Sequence, residues 1–119
     1  MTPNEIMKEL TAKNHELTAK NTELLRLTDV AASAKRDFLI AFAQGITRLK
    51  IEGSSVTLIR DLAKGEKIIA ELQYKSDVAD GVLFACRERI KDIREQIGTY
   101  RSLLTWEREE KRLTPYQED

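Results

Sequence analysis

A seven-residue repeat near the start of the chain constrains its fold more than any other feature. The heptad Glu-Leu-Thr-Ala-Lys-Asn-His begins at Glu9, recurs from Glu16 with Thr in the last place, and begins again at Glu23. A sustained apolar period of seven residues requires a partner helix, against which the first helix forms a left-handed coiled coil. We therefore predict a helix over about residues 5–51. Its core positions a and d include Met7, Leu10, Asn14, Leu17, Asn21, Leu24, Phe38 and Phe42.

One strong turn signal, Glu52-Gly53-Ser54-Ser55, follows this segment. Glycine takes the left-handed conformation that closes a helix, and serine caps the start of the next one. From Val56 onward, apolar residues return in alternating steps of three and four, with Gly65 and Ser76 standing in two of the apolar places. The predicted core positions of this helix are Leu58, Leu62, Ile69, Leu72, Ala79, Leu83, Cys86, Ile90, Ile93, Ile97, Tyr100 and Leu104. The sequence thus predicts a turn over 52–55, a helix over about 56–112 and a short disordered tail over 113–119.

The predicted fold class is all-α: a long antiparallel helical hairpin, a single coiled-coil domain that assembles with other copies into a helical bundle. Composition agrees, because 34% of residues are charged, only 6% are aromatic, and both prolines lie near the ends of the chain. Thr28-Asp29 and Ser76-Asp77 resemble helix N-caps. A shorter three- or four-helix bundle, folded at those two sites, is therefore an alternative.

Apolar residues near the turn predict self-association into a dimer or a larger oligomer. A narrow a/d seam leaves them exposed in a lone hairpin, and burial of each aliphatic side chain contributes about 1.5–3 kcal/mol. Asn14 and Asn21 could pair with asparagines of a second copy and fix its register. The alternative is a weakly packed end with half-solvated asparagines. The off-seam apolar residues are Leu39, Ile40, Ile46, Ile51, Ile59, Ile68, Val78, Val82 and Phe84.

The chain has few residues suited to catalysis. Cys86 and His15 are the sole residues of their types, and the sequence contains no phosphate-binding loop, nucleophile elbow or metal-ligand spacing. We therefore expect a non-enzymatic protein without a metal or cofactor. Twenty basic and twenty acidic residues cancel, which counts against bulk electrostatic binding of nucleic acid. No apolar run is long enough for a membrane helix, and we expect a cytoplasmic protein.

Two features of the second helix are candidate binding surfaces. Arg87, Arg94, Arg101 and Arg108 recur every seven residues at heptad position e. Such a row either flanks the seam and pairs with acids, or contacts a phosphate backbone or an acidic partner. Trp106 lies near the helix tip, where it either anchors a protein partner or packs against the start of the first helix.

The stretch from Leu62 to Tyr74, continuing through Ala79–Ile90 to Tyr100–Leu104, resembles small helical accessory proteins of temperate bacteriophages. Genes for such proteins often lie beside recombination or replication genes. The resemblance covers about the C-terminal half of the chain and includes no catalytic residues. It implies a virus-encoded adaptor.

Three functional hypotheses follow. The first is a self-associating coiled-coil adaptor or scaffold that binds an unidentified protein. The second is a nucleic-acid-binding accessory factor for phage recombination or replication that uses the seven-spaced arginines. The third is an inhibitor of a host enzyme that acts through the tip around Trp106.

Overall fold

The computed structural model describes residues 1–113, which form three helices and no strand: α1 over Pro3–Ile51, α2 over Ile59–Gly65 and α3 over Lys67–Leu113. This confirms the predicted all-α hairpin. Contacts divide the chain into two compact units, each built from α1 and α3 running in opposite directions. The terminal unit comprises Met1–Glu23 and Cys86–Asp119, and the turn unit comprises Leu24–Ala85. Apart from Leu113, which ends α3, the predicted tail lies outside the described residues.

Both ends of α1 are closed by local hydrogen bonds. At the start, the Glu5 amide donates to Thr2 Oγ1 at 3.2 Å while the Thr2 amide donates to Glu5 Oε2 at 3.4 Å, the reciprocal arrangement of a capping box. At the end, the Gly53 amide donates to the Lys50 carbonyl and the Ser54 amide to the Leu49 carbonyl. Gly53 has a φ of 81°. These two bonds and the left-handed residue form a Schellman motif.

The segment after the turn differs from the prediction. The connection is longer than four residues, because α2 starts only at Ile59, and Leu58 rather than a serine occupies its N-cap. Glu66 then adopts an extended conformation (φ −68°, ψ 136°) and separates α2 from α3. Gly65 favours this break, since glycine is a weak helix former. The two sites proposed as breaks, Thr28-Asp29 and Ser76-Asp77, lie within continuous helix.

The core of the turn unit gathers around Phe42. The buried cluster consists of Phe42, Leu49, Ile59, Ala63 and Ile69. The helix break shifts the apolar phase by one residue, so Ile59 and Ala63 face this core. Leu58 and Leu62, which the heptad frame assigned to it, are 54% and 47% exposed.

Cationic groups complete the contact between α2 and the rest of the turn unit. Arg60 Cζ lies 5.3 Å from the Phe42 ring centroid and Lys64 Nζ lies 5.8 Å from it. Arg48 forms ion pairs with Glu52, at 3.3 Å, and with Glu66. Together with the apolar contacts of Ile59 and Ala63, these cation–π contacts and ion pairs hold α2 against α1.

The core of the terminal unit is formed by facing residues of α1 and α3. Ile6, Leu10, Ile93 and Ile97 form its buried cluster. The Cys86 thiol, buried as predicted, donates to the Lys20 carbonyl oxygen at 3.7 Å. The numbers of these two residues add up to 106, the value expected for helices joined by a turn at 52–55. The seam of α3 is also the predicted one, with Ile90, Ile93 and Ile97 almost fully buried.

The seam of α1 differs from the prediction in this unit. Met7, Asn14 and Asn21, assigned to core position a, are exposed. Ile6 is buried instead, and the half-buried Lys13 and Lys20 lie at the equivalent places one and two heptads later. Their aliphatic stems cover apolar surface while the ammonium groups reach Glu16 and Glu23, at 3.5 and 3.0 Å. This arrangement avoids the cost of burying asparagine amides without partners.

The predicted frame returns at the other end of α1, where Phe42 and Leu49 are buried. Ile6 and Phe42 are ten turns apart at 3.6 residues per turn. A strict heptad drifts by about 20° per repeat relative to such a helix, which amounts to one residue over about five repeats. The buried stripe of α1 therefore follows the 3.6-residue period of an α-helix over this length.

Candidate functional site

The turn unit has an apolar groove between α1 and α3. The groove has a volume of about 400 Å³, and Lys75 is the only charged residue among those that line it. Tyr74, Val78 and Val82 follow one another at four-residue intervals, so they form one stripe along α3. The residues lining the groove are Leu27, Val30, Ala34, Tyr74, Lys75, Val78, Ala79 and Val82.

Several large apolar side chains of this groove are unusually exposed to solvent. Val30, Val78 and Val82 are 44–46% exposed and Tyr74 is 66% exposed. Of the eighteen large hydrophobic residues that are exposed in the described chain, thirteen belong to the turn unit. An apolar surface of this kind on a small protein is a candidate interface.

The residues predicted for oligomerisation fall into three groups. Leu10, Phe42 and Ile59 are buried within their own units, and Ile59 therefore does not lie off the seam as the sequence suggested. Leu17, Leu24 and Phe38 are half-buried. The exposed members of the predicted set are Leu39, Asn14 and Asn21.

The arginine row lies in the terminal unit, and all four of its side chains are exposed: Arg87, Arg94, Arg101 and Arg108. Within residues 1–113, none of the four guanidinium groups forms an ion pair with a carboxylate. The sequence explains this, since no acidic residue stands three or four places before or after any of them up to Leu113. Glu88, Asp92 and Glu95 are close in sequence but lie on other faces of α3. Among the described residues, the row therefore does not form the ion pairs that its interpretation as a seam-flanking row predicted.

The flank of the terminal unit that faces away from the arginine row carries four acidic residues: Glu9, Glu16, Asp92 and Glu95. Arg89 pairs with Glu16, which also lies 3.5 Å from Lys13 Nζ. The hydrogen bond from Arg89 lowers the pKa of the Glu16 carboxyl below its ordinary value, and the nearby charges of Arg89 and Lys13 act in the same direction. A polar groove continues along this flank, which we call the acidic flank. Its lining residues are Glu9, Lys13, Asp92, Glu95, Gln96, Thr99, Tyr100 and Leu103.

Trp106 is 61% exposed and Leu103 is 38% exposed. The hydrophobic cluster around Ile6 includes Leu104 but neither of these two residues. The indole of Trp106 therefore remains a candidate anchor for a partner.

The sequence named Val78 and Val82 as off-seam apolar residues but did not identify the groove. Val30 and Tyr74 were missed, although the four-residue spacing of Tyr74, Val78 and Val82 was a usable signal. Val30 lies at an outer heptad position of α1, and only the packing of α1 against α3 brings it to the groove.

Within residues 1–113, no three side chains among histidine, cysteine, aspartate and glutamate cluster as metal ligands would. No helix in this range has the length and apolar character needed to cross a membrane. No protein-family model, curated protein or solved structure matches the chain. The resemblance to phage accessory proteins therefore stays a prediction.

Proposed function

We propose that this chain is a non-enzymatic coiled-coil adaptor of the cytoplasm, which self-associates through the apolar groove of the turn unit and binds a second protein elsewhere. The observation that carries this proposal is the groove itself, in which four large side chains remain about half exposed or more. Burying the exposed half of one such side chain contributes about 1 kcal/mol.

A second copy of the chain suits this groove well. Most soluble oligomers are symmetric, and a two-fold interface places the same patch of both copies in contact. The stripe of Tyr74, Val78 and Val82 is apolar along its length, so it is complementary to itself. Lys75, which also lines the groove, is exposed, so its charge can stay in water.

A charge-insertion experiment tests this assignment. The double variant Val78→Glu/Val82→Glu places two carboxylates in the groove, where burial without partners is costly. We expect the dissociation constant of the oligomer to rise at least about 100-fold, as measured by sedimentation velocity. Far-ultraviolet circular dichroism should show an unchanged helix content.

The matched control is Thr28→Glu/Ala32→Glu, which inserts two charges at the same spacing on exposed positions of α1 in the same unit. Association should survive in this variant. Thr28 continues the exposed stripe of α1 that includes Asn14 and Asn21, which we call the outer stripe of α1. If the control dissociates and the groove variant does not, self-association uses this outer stripe, and the groove assignment is wrong.

The second protein is proposed to dock at the tip of α3, where Trp106 supplies a large exposed anchor. Affinity capture with the whole chain should retain a specific protein that Trp106→Ala loses. Leu113→Ala serves as the control, because Leu113 is a comparably exposed apolar residue of the same helix. Equal capture by all three proteins would contradict the proposed anchor.

A further inference from the structure

The arginine row and the outer stripe of α1 border the same flank of the terminal unit. Two antiparallel helices packed along a seam present two flanks. The Glu16–Arg89 pair marks the acidic flank. On α1 the buried Leu10 separates that flank from the stripe of Met7, Asn14 and Asn21. On α3 the buried Ile93 and Ile90 separate it from the arginine row. Both stripes therefore lie on the side opposite Glu16.

This opposite side, which we call the cationic face, has no carboxylate. On α3, the row and the adjoining stripe alternate in steps of four and three and contain six basic residues. On α1, the facing positions are uncharged. The residues of the cationic face are Met7, Thr11, Asn14, Thr18, Asn21, Arg87, Lys91, Arg94, Gly98, Arg101, Thr105, Arg108 and Arg112.

The N-terminal repeat accounts for this separation of charge. Glu9, Glu16 and Glu23 recur every seven residues and are half-buried, Glu16 in the pair that marks the acidic flank. The Thr and Asn of the same heptads fall on the cationic face. A chain with no net charge thus presents one flank whose own positions carry basic but no acidic residues. Glu88 and Glu95, three and four places from Lys91, lie on the neighbouring outer face of α3. Arg112 pairs with Glu109 at 3.3 Å, which leaves five cations without an ion pair in the described chain.

We propose that the cationic face binds the phosphate backbone of duplex DNA without regard to sequence. From Arg87 to Arg108 the row extends about 31 Å at 1.5 Å per residue. That length matches about nine base pairs at 3.4 Å each. Arginine forms strong paired hydrogen bonds with phosphate oxygens. The side-chain amides of Asn14 and Asn21 are donors of a kind that also contacts DNA backbones. The Thr11 and Thr18 hydroxyls donate to the carbonyls of Met7 and Asn14 instead, at 3.0 and 3.1 Å.

The composition of the face favours DNA over an acidic protein. A protein interface is normally centred on buried apolar or aromatic anchors. On the cationic face the residues between the basic ones are Gly98 and Thr105, and Met7 is its one large apolar residue. Single-stranded nucleic acid is less suitable, since its binding sites add aromatic side chains for base stacking. Trp106 is at another heptad position, away from the row.

The test is fluorescence anisotropy of the whole chain with a labelled, random-sequence DNA duplex of about 24 base pairs, over a range of salt concentrations. If all five unpaired cations contact phosphate, the slope of log K against log salt should be about −4.5, since each contact contributes about −0.9. No binding at about 25 mM salt would overturn the proposal.

Charge reversal locates the site. Arg94→Glu/Arg101→Glu should weaken binding more than tenfold and make the slope less steep by about two. The control Lys35→Glu/Lys67→Glu makes the same change in net charge at exposed positions of the turn unit and should leave the slope unchanged. Equal loss in both variants would show a bulk charge effect and contradict a defined face. Displacement of the duplex by polyglutamate at equal charge concentration would show that the face binds an acidic protein instead.

Discussion

Gly45 offers a direct test of how closely the helices of the turn unit approach one another. It is a buried residue within α1, and a Cβ atom added there would lie 2.6 Å from Ile69 Cδ1 and 3.8 Å from Ala63 Cβ. A separation of 2.6 Å is well inside van der Waals contact. Gly45→Ala therefore forces Ile69, which is 4% exposed, to move within a closed cluster.

The expected magnitude combines two opposing effects. Alanine is the better helix former by about 0.8–1 kcal/mol. Overpacking of a well-filled core costs about 1–3 kcal/mol. Gly45→Ala should therefore change the free energy of unfolding by between about zero and 2 kcal/mol, in the destabilising direction. Gly98→Ala isolates the helix-propensity effect, because nothing lies within 4 Å of its added Cβ, and it should stabilise the protein.

The assay is urea unfolding followed by circular dichroism, with all proteins at one protomer concentration because association contributes to apparent stability. Gly98→Ala should be more stable than Gly45→Ala by about 1–3 kcal/mol. Equal stabilisation by the two substitutions would mean that Gly45 does not lie against Ile69 and that the packing described for this unit is incorrect.

Three further predictions concern the terminal unit. Ile93→Ala should lower the free energy of unfolding by about 2–5 kcal/mol in the same urea assay, because Ile93 is 0% exposed in the core. Arg89 lowers the pKa of Glu16, so the ionised carboxylate stabilises the fold above the unfolded-state pKa, and this stabilisation is lost as the pH falls through the lowered folded-state pKa. When the free energy of unfolding is measured as the pH is lowered below about 4.5, Glu16→Gln should therefore lose less stability than the natural chain. Asn14→Ala/Asn21→Ala should leave the sedimentation coefficient unchanged, since neither amide lines the apolar groove. Dissociation of this variant would instead support the hypothesis that asparagines of two copies pair with one another.

The sequence predicts α3 well because its steps of three and four run in one frame from Ile69 to Leu104, with Ser76 as the one polar residue in that frame. Each of these steps places a side chain on one stripe, and no other stripe of α3 is equally apolar. The turn is equally predictable from the sequence, since Gly53 supplies the left-handed conformation that the end of α1 requires.

The packing of the helices determines the features that the sequence did not predict, namely the α1 seam, the phase of α2 and the apolar groove. Lys13 lies on the seam because its long stem is apolar, which a binary division into polar and apolar residues does not show. The break at Glu66 moves Ile59 into the core through a phase shift of one residue, and Gly65 was its one sequence signal. The apolar groove depends on the approach of Val30 to Val78 across two helices. The unpaired state of the arginine row, in contrast, could have been inferred from the positions three and four residues away from each arginine.

Multi-angle light scattering of the natural chain over a range of micromolar concentrations tests self-association, the central claim, most directly. One chain has a mass of 13.6 kDa. The proposed interface predicts a molar mass at least twice that value, falling toward the mass of one chain on dilution. A mass of 13.6 kDa at every concentration would contradict the proposed self-association.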